Sequence, residues 1–348
     1  MIPILLGHND TLLRLHRQDD HISFLEGDDQ AHLDLPRARQ AGVAGGFFAC
    51  WVPRYLEAAD PDEVVWPTEW GYETSLADPL DPEHAREQTL AMMEKLFLLE
   101  QDSGGELALV RNLEDLSDCL KEGRFASILH FEGAEAIAAD LSNLEDFYSA
   151  GLRSLGLVWS RPNLFGHGVP FCFPCSPDTG PGLTRAGREL VQVCNELGIM
   201  LDVSHLNEQG FWDLARLTRA PLVATHSNAQ GPCPSSRNLT DEQLRAIADS
   251  GGLVGINFCT SDLRPDGQDD ADTPIDLVYQ QIEYVVEEIG LEHVALGTDF
   301  DGAIVPAELS DVSALGELME GLQERGMDRN DLEQVGFGNW LRVLADTW

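Results

Sequence analysis

Short apolar runs and amphipathic segments alternate eight times along this chain. The apolar runs are nearly unbroken, which is typical of strands that are covered on both faces. They span residues 2–7, 42–52, 125–131, 153–159, 199–204, 221–226, 252–258 and 294–299. We therefore expect eight buried strands with helical sequence between them.

The segments between these runs have the spacing of amphipathic helices. Apolar residues recur at intervals of three and four in residues 83–101, 183–198 and 275–290. Another segment carries a capping box, formed by Thr240 and Gln243, and closes on glycine. Each of these segments is therefore predicted to be a helix.

Eight strand-then-helix units predict an α/β fold of one kind, a (β/α)8 or TIM barrel. No linker interrupts the alternation, so we expect one domain over residues 1–348. The alternative is an open, doubly wound sheet, for which a glycine-rich, dinucleotide-binding turn would be expected after an early strand. Residues 7–12, GHNDTL, are not such a turn.

Charge and composition exclude several classes of partner. The chain has 348 residues, of which 60 are acidic and 22 basic, and its formal net charge is −38. Such a surface repels phosphate backbones and anionic lipids, so we expect no nucleic acid and no membrane partner. The N-terminal sequence lacks the basic and apolar regions of a signal peptide. The cytoplasm is therefore the expected location.

Two long insertions follow predicted strands, at about 53–82 and at 161–182. Because a barrel carries its chemistry at the carboxyl ends of its strands, both are predicted to form walls of an active site. The second insertion contains Cys172 and Cys175 in a C-x-x-C pair. With no second pair to complete a zinc site, we interpret them as two inert thiols in a proline-rich loop.

Histidines and carboxylates stand at the carboxyl ends of five predicted strands. They are His8, Asp10, Glu132, His205, His226 and Asp299. Any one of them alone would more often be a structural residue, and the remaining histidines receive that interpretation. Independent structural uses, however, would not place all six at one barrel mouth. Imidazole and carboxylate ligands suit zinc and related divalent ions, and six ligands suffice for two ions.

The chain resembles the renal (membrane) dipeptidases, a branch of the amidohydrolase-like metallopeptidase barrels. The matching motifs occur in the family's order at residues 7–10, 36–53, 131–137, 182–205, 224–229, 235–258, 296–302 and 336–344. Members of that family are di-zinc hydrolases of dipeptides. The resemblance implies that a hydroxide bridging two zinc ions attacks the amide carbon, with the ions polarising its carbonyl.

The resemblance also implies a role for each candidate residue. His8 and Asp10 would hold one zinc ion, His205 and His226 the other, and Glu132 would bridge them. Asp299 would be the general acid and base, and Arg237 would meet the substrate's C-terminal carboxylate. Without the resemblance, we would interpret Arg237 as a surface ion pair near a helix start.

One position departs from the family pattern. Trp159 stands where the family typically has a histidine that donates to the scissile carbonyl oxygen. An indole can donate a hydrogen bond but cannot carry the imidazolium charge. His167 and Arg161, in the same loop, are the nearest candidates to replace that donor; otherwise the metal ions alone would stabilise the oxyanion. We assign Trp159 and His167 as substrate-binding candidates.

The sequence therefore predicts a zinc-dependent dipeptidase that acts on small dipeptides, including those with a D-residue at the C-terminal side. One alternative is an amidase for other small N-acyl amino acids. Another is a metal-binding barrel without catalysis, although the presence of Glu132 and Asp299 argues against it. A homodimer is left open as the assembly.

Overall fold

The computed structural model describes residues 2–56 and 65–348, and eight parallel strands close into a barrel within them. In chain order the strands are β1 (Ile4–Asn9), β2 (Val43–Cys50), β3 (Val65–Pro67), β4 (Tyr72–Thr74), β5 (Leu107–Leu109), β6 (Phe125–Glu132), β7 (Leu152–Gly156), β8 (Cys172–Phe173), β9 (Met200–Asp202), β10 (Val223–Ala224), β11 (Leu253–Asn257) and β12 (Val294–Phe300). The order around the barrel is β1, β2, β6, β7, β9, β10, β11, β12, and β12 pairs with β1. The predicted (β/α)8 barrel is confirmed.

Helices cover the outside of the barrel. They are α1 (Thr11–Gln18), α2 (Ile22–Glu26), α3 (Leu35–Ala41), α4 (Pro82–Asp102), α5 (Leu113–Glu122), α6 (Leu144–Ala150), α7 (Arg185–Leu197), α8 (Glu208–Leu217), α9 (Asp241–Asp249), α10 (Thr260–Leu263), α11 (Asp276–Ile289), α12 (Leu315–Glu324), α13 (Arg329–Glu333) and α14 (Asn339–Thr347). The predicted capping box is present at the start of α9, where Thr240 and Gln243 bond reciprocally. Of the helices in the described ranges, none has the length and apolar character needed to cross a bilayer.

The strand positions follow from burial on both faces. The eight barrel strands are buried along nearly their whole length, which explains their unbroken apolar sequence. Trp340 and Phe47 pack together, with ring centroids 4.9 Å apart, in the apolar cluster that also contains Leu5 at the base of β1. The barrel interior is thus filled by side chains.

A small antiparallel sheet covers the carboxyl end of the barrel. Strand β4 pairs with β3 on one side and with β8 on the other. The first two strands come from the insertion at 53–82 and the third from the insertion at 161–182, so the two predicted walls join in one sheet. Residues 57–64 of the first insertion lie outside the described residues.

The prediction of two inert thiols is wrong. Cys172 and Cys175 form a disulfide, with their Cα atoms 5.5 Å apart. The pairing is local because the two cysteines are three residues apart, and Cys172 belongs to β8 in the small sheet. The sequence interpretation considered zinc ligation and free thiols, and did not consider a disulfide closed within one loop.

Candidate metal centre and active site

A cavity of about 870 Å³ opens at the carboxyl ends of the barrel strands. Its walls include residues that follow seven of the eight barrel strands, as the barrel architecture requires of an active site. Six of the predicted site residues line it: Asp10, Glu132, Trp159, His205, Arg237 and Asp299.

Glu132 lies at the centre of the cluster and faces two groups of ligands. Its Oε2 is 3.4 Å from Nε2 of His8. Its Oε1 is 2.8 Å from Nε2 of His205 and 3.4 Å from Nε2 of His226. The two imidazole nitrogens of that second group are 3.1 Å apart. The two oxygens of this buried carboxylate therefore face different imidazoles, Oε2 facing His8 and Oε1 facing His205, which is the arrangement a bridging ligand needs.

The His8 side contains two further carboxylates. Oδ2 of Asp10 is 3.3 Å from Nε2 of His8, and Oδ1 of Asp299 is 4.0 Å from the same atom. Donor atoms of two overlapping groups lie within 4.8 Å of one another: His8 with Glu132 and His226, and His8 with Asp10 and Asp299. The structure thus brings together all six strand-end residues that the sequence singled out.

Burial sets the protonation of the cluster. It raises the pKa of Glu132 to about 7, because a carboxylate removed from water favours its neutral form. It lowers the pKa values of His205 and His226 well below the usual range, which keeps both rings neutral. Burial alone would also lower the pKa of His8, but the carboxylates of Glu132 and Asp10 raise it well above its usual value. The carboxylates thus favour a positive charge at His8, which a metal ion bound there would supply in place of the proton.

This donor set suits divalent metal ions. Neutral imidazoles and carboxylates are ligands for zinc and related ions, and buried charges are normally paired or coordinate a metal. Oδ1 of Asp10 is buried and has no hydrogen-bond partner in the described part of the chain. An orphaned carboxylate oxygen beside three converging imidazoles is best satisfied by a cation.

A hydrogen-bonded relay that the sequence analysis missed orients His226. The hydroxyl of Thr225 donates to Oδ2 of Asp202 at 2.6 Å, and its oxygen lies 2.8 Å from Nδ1 of His226. Because the hydroxyl has given its one proton to Asp202, it must accept from Nδ1–H. The free lone pair of His226 is then on Nε2, which faces the cluster. Similarly, Oγ of Ser160 is 2.8 Å from Nδ1 of His205.

Thr225→Val should weaken metal binding. Valine keeps the β-branched shape but removes the hydroxyl, so Nδ1–H of His226 loses its acceptor. We expect the affinity for zinc to fall roughly 10- to 100-fold, as for other residues that orient a metal ligand. Competition with a chromophoric chelator measures this. Thr347→Val, which removes a hydroxyl bonded within α14, is the matched control. Unchanged zinc affinity in Thr225→Val would rule out the relay.

Asp299 is held at the edge of the cluster by its backbone and by Asn257. Thr298 and Asp299 both have left-handed φ angles, 68° and 66°, and such strain in a β-branched residue is typical of functional sites. Nδ2 of Asn257 donates to Oδ2 of Asp299 at 3.0 Å. Burial raises the pKa of Asp299, which makes the carboxylate a stronger base. Asp301, by contrast, accepts a hydrogen bond from the hydroxyl of Thr11 and so joins two distant segments of the chain.

Arg237 is buried in the cavity wall, so the sequence-only interpretation as a surface ion pair is wrong. Only 4% of the residue is exposed. Its guanidinium donates to Oγ of Ser227 and to the backbone oxygen of His226, both at 2.8 Å. These bonds fix the side chain beside the metal ligands. A planar guanidinium in this position can receive a carboxylate.

The loop after β7 places its three candidate residues differently. Trp159 lines the cavity, and its ring centroid is 5.8 Å from that of His205. Arg161 is buried and donates to Oε1 of Glu135 at 2.9 Å. His167 pairs with Pro162 in an isolated bridge and is not among the described residues that line the cavity. The structure therefore brings Trp159 into the site without His167.

Comparison with known proteins identifies the family. Residues 1–347 match the model of the membrane dipeptidases, peptidase family M19. The chain belongs to this family. The resemblance noted in the sequence is thereby confirmed, and this M19 dipeptidase is a metal-dependent hydrolase of peptide bonds.

Solved structures and a curated relative agree with this assignment. A metallopeptidase from Rhodobacter sphaeroides, liganded with a phosphinate mimic of the dipeptide L-Ala-D-Ala, is 46% identical with a TM-score of 0.93 and covers 100% of this chain and 99% of its own. The crystal structure of the M19 metallopeptidase called dipeptidase AC gives the same values. Dipeptidase verJ from Clonostachys rogersoniana is 28% identical over 99% of this chain and 84% of its own length.

Proposed function

We propose that this M19 dipeptidase uses two zinc ions to hydrolyse small dipeptides, including those with a D-residue at the C-terminal side. The observation that carries the proposal is the position of Glu132, whose Oε2 faces His8 and whose Oε1 faces His205 and His226. His8 and Asp10 would hold one ion, the two other histidines would hold the second, and Glu132 would bridge them.

The chemistry divides between the metal centre and Asp299. Two divalent ions held here would lower the pKa of a shared water and polarise the scissile carbonyl. Asp299 takes the proton from the attacking water and delivers it to the departing amine. Since Asn257 occupies Oδ2 of Asp299, its Oδ1 is the oxygen that faces the cluster and receives the proton.

Arg237 makes the enzyme select substrates that have a free C-terminal carboxylate. Its guanidinium is held by Ser227 and by the backbone of His226, so a carboxylate bound there lies next to the metal ligands. A longer peptide would place an uncharged amide against a buried cation. The ligand of the Rhodobacter sphaeroides enzyme, a mimic of L-Ala-D-Ala, supports extending this substrate class to the present chain.

Metal analysis combined with a substrate panel tests the proposal. We expect purified protein loaded with zinc to hold two ions per chain and to hydrolyse L-Ala-D-Ala and other L,D and L,L dipeptides. Removing zinc with a chelator should abolish hydrolysis, and added zinc should restore it. Faster hydrolysis of N-acetyl amino acids than of any dipeptide would instead favour the amidase. Full zinc content without any hydrolysis would indicate a non-catalytic barrel.

A further inference from the structure

Three aromatic residues form one wall of the cavity: Trp51, Trp159 and Phe171. The ring centroids of Trp51 and Trp159 are 5.1 Å apart, and those of Trp159 and Phe171 are 5.6 Å apart. None of the three is fully buried. Contiguous aromatic surface that stays partly exposed inside a concave site is characteristic of ligand contact. We call these three residues the aromatic wall.

A buried cation lies against the aromatic wall. The guanidinium carbon of Arg161 is 5.1 Å from the ring centroid of Trp159 and 6.0 Å from that of Trp51. Arg161 is itself fixed by Glu135 and by the backbone oxygen of Val52. Because the rings already interact with one cation, they would attract a second, positively charged group of a ligand less strongly. The aromatic wall therefore favours an uncharged, apolar group and is held rigid to receive it.

The aromatic wall and Arg237 come from different parts of the barrel rim. Trp51 follows β2 and Trp159 follows β7, the strands on either side of β6, whose last residue is Glu132. Arg237 follows β10, three positions further around the barrel than β6. A dipeptide with its carboxylate on Arg237 and its scissile carbonyl at the cluster therefore extends its N-terminal residue toward the aromatic wall.

We propose that the aromatic wall is the subsite for the side chain of the N-terminal residue, and that it selects dipeptides in which this residue is large and apolar. The inference rests on the proposed function, because it takes Arg237 as the anchor for the carboxylate. The cavity of about 870 Å³ is in the range that holds drug-sized ligands, and so leaves room for such a side chain.

Three substrates and one substitution test this subsite. We expect kcat/KM for L-Phe-D-Ala to exceed that for L-Ala-D-Ala about tenfold or more, since a large apolar side chain is buried only in the first. L-Ala-D-Phe should show no such gain. Trp159→Ala should lower kcat/KM for L-Phe-D-Ala much more than for L-Ala-D-Ala, so that the ratio of the two falls toward one, while the zinc content stays unchanged.

Two further variants complete the design. Leu164→Ala shortens a half-exposed side chain in the same loop, 49% exposed, and should keep the wild-type preference. Trp159→Phe retains an aromatic ring and should keep part of the gain, so the test survives if Trp159→Ala fails to fold.

Several outcomes would overturn the inference. Equal kcat/KM values for the three substrates, or a preference that follows the C-terminal residue, would contradict an N-terminal subsite while leaving the dipeptidase function intact. An equal loss on L-Phe-D-Ala and L-Ala-D-Ala in Trp159→Ala would show that Trp159 only positions His205. Failure of the zinc-loaded protein to hydrolyse any of the three would reject both the inference and the proposed function.

Discussion

Glu132→Gln should lose metal from at least one site and lose activity on the order of a thousandfold or more. Glutamine has nearly the same shape but carries no charge, and one of its two terminal atoms is an NH₂ group that has no lone pair for a metal. Because the oxygens of Glu132 face His8 and His205 separately, either orientation of the amide turns the NH₂ group toward one ligand group. Metal analysis and the rate on L-Ala-D-Ala measure the effect.

A surface glutamate provides the control for this substitution. Glu145→Gln makes the same chemical change on an exposed position of α6, so it should leave metal content and rate unchanged. Thermal unfolding of both zinc-free variants separates a folding defect from a metal defect. Two zinc ions per chain and normal turnover in Glu132→Gln would contradict the bridging role.

The barrel was predictable because its strands are buried on both faces. Strands such as β6 and β12 consist of apolar sequence long enough to stand out from the helical segments around them. Strand β5, Leu107–Leu109, was missed because it pairs with β6 outside the closed ring, where eight strand-then-helix units predict no further strand. The small sheet was missed for a related reason, since β4 and β8 come from different loops and only tertiary contact pairs them.

The metal ligands were predictable because parallel strands align their carboxyl ends. The residues that orient those ligands were not, since hydroxyl side chains such as Thr225 and Ser160 are common beside histidines. The relay depends on strand register: β10 pairs with β9 through Val223 and Asp202, which brings the Asp202 carboxylate to Thr225. No spacing within the sequence encodes that contact.

The sequence predicted the strand before Trp159, but it did not predict which side chains surround Trp159. The sequence extended the fourth barrel strand to Trp159, whereas β7 ends at Gly156. Trp159 therefore leaves the sheet and turns toward Trp51, from the loop after β2, and toward Phe171, further along its own loop. From the sequence alone, Trp159 was interpreted as a replacement for one histidine. In the structure it is one of three aromatic residues that form a wall of the cavity.

Asp299→Asn should reduce kcat by roughly 100- to 10,000-fold while leaving both zinc ions bound. Asparagine keeps an oxygen that can accept from Asn257, so the local fold is preserved, but the amide cannot take a proton from water. Oδ1 of Asp299 is 4.0 Å from Nε2 of His8, farther than the corresponding oxygens of Asp10 and Glu132. We therefore expect the substitution to remove a base and to spare the metal ligands.

The pH profile and the metal content together decide between two roles for Asp299. As a general base it must be ionised, so wild-type kcat/KM should rise with pH through its raised pKa and then level off. That rise should be absent from the residual activity of Asp299→Asn. Since Asp299 also forms a potential ligand group with His8 and Asp10, loss of one zinc ion together with activity would instead make Asp299 a metal ligand, and the proton would need another acceptor.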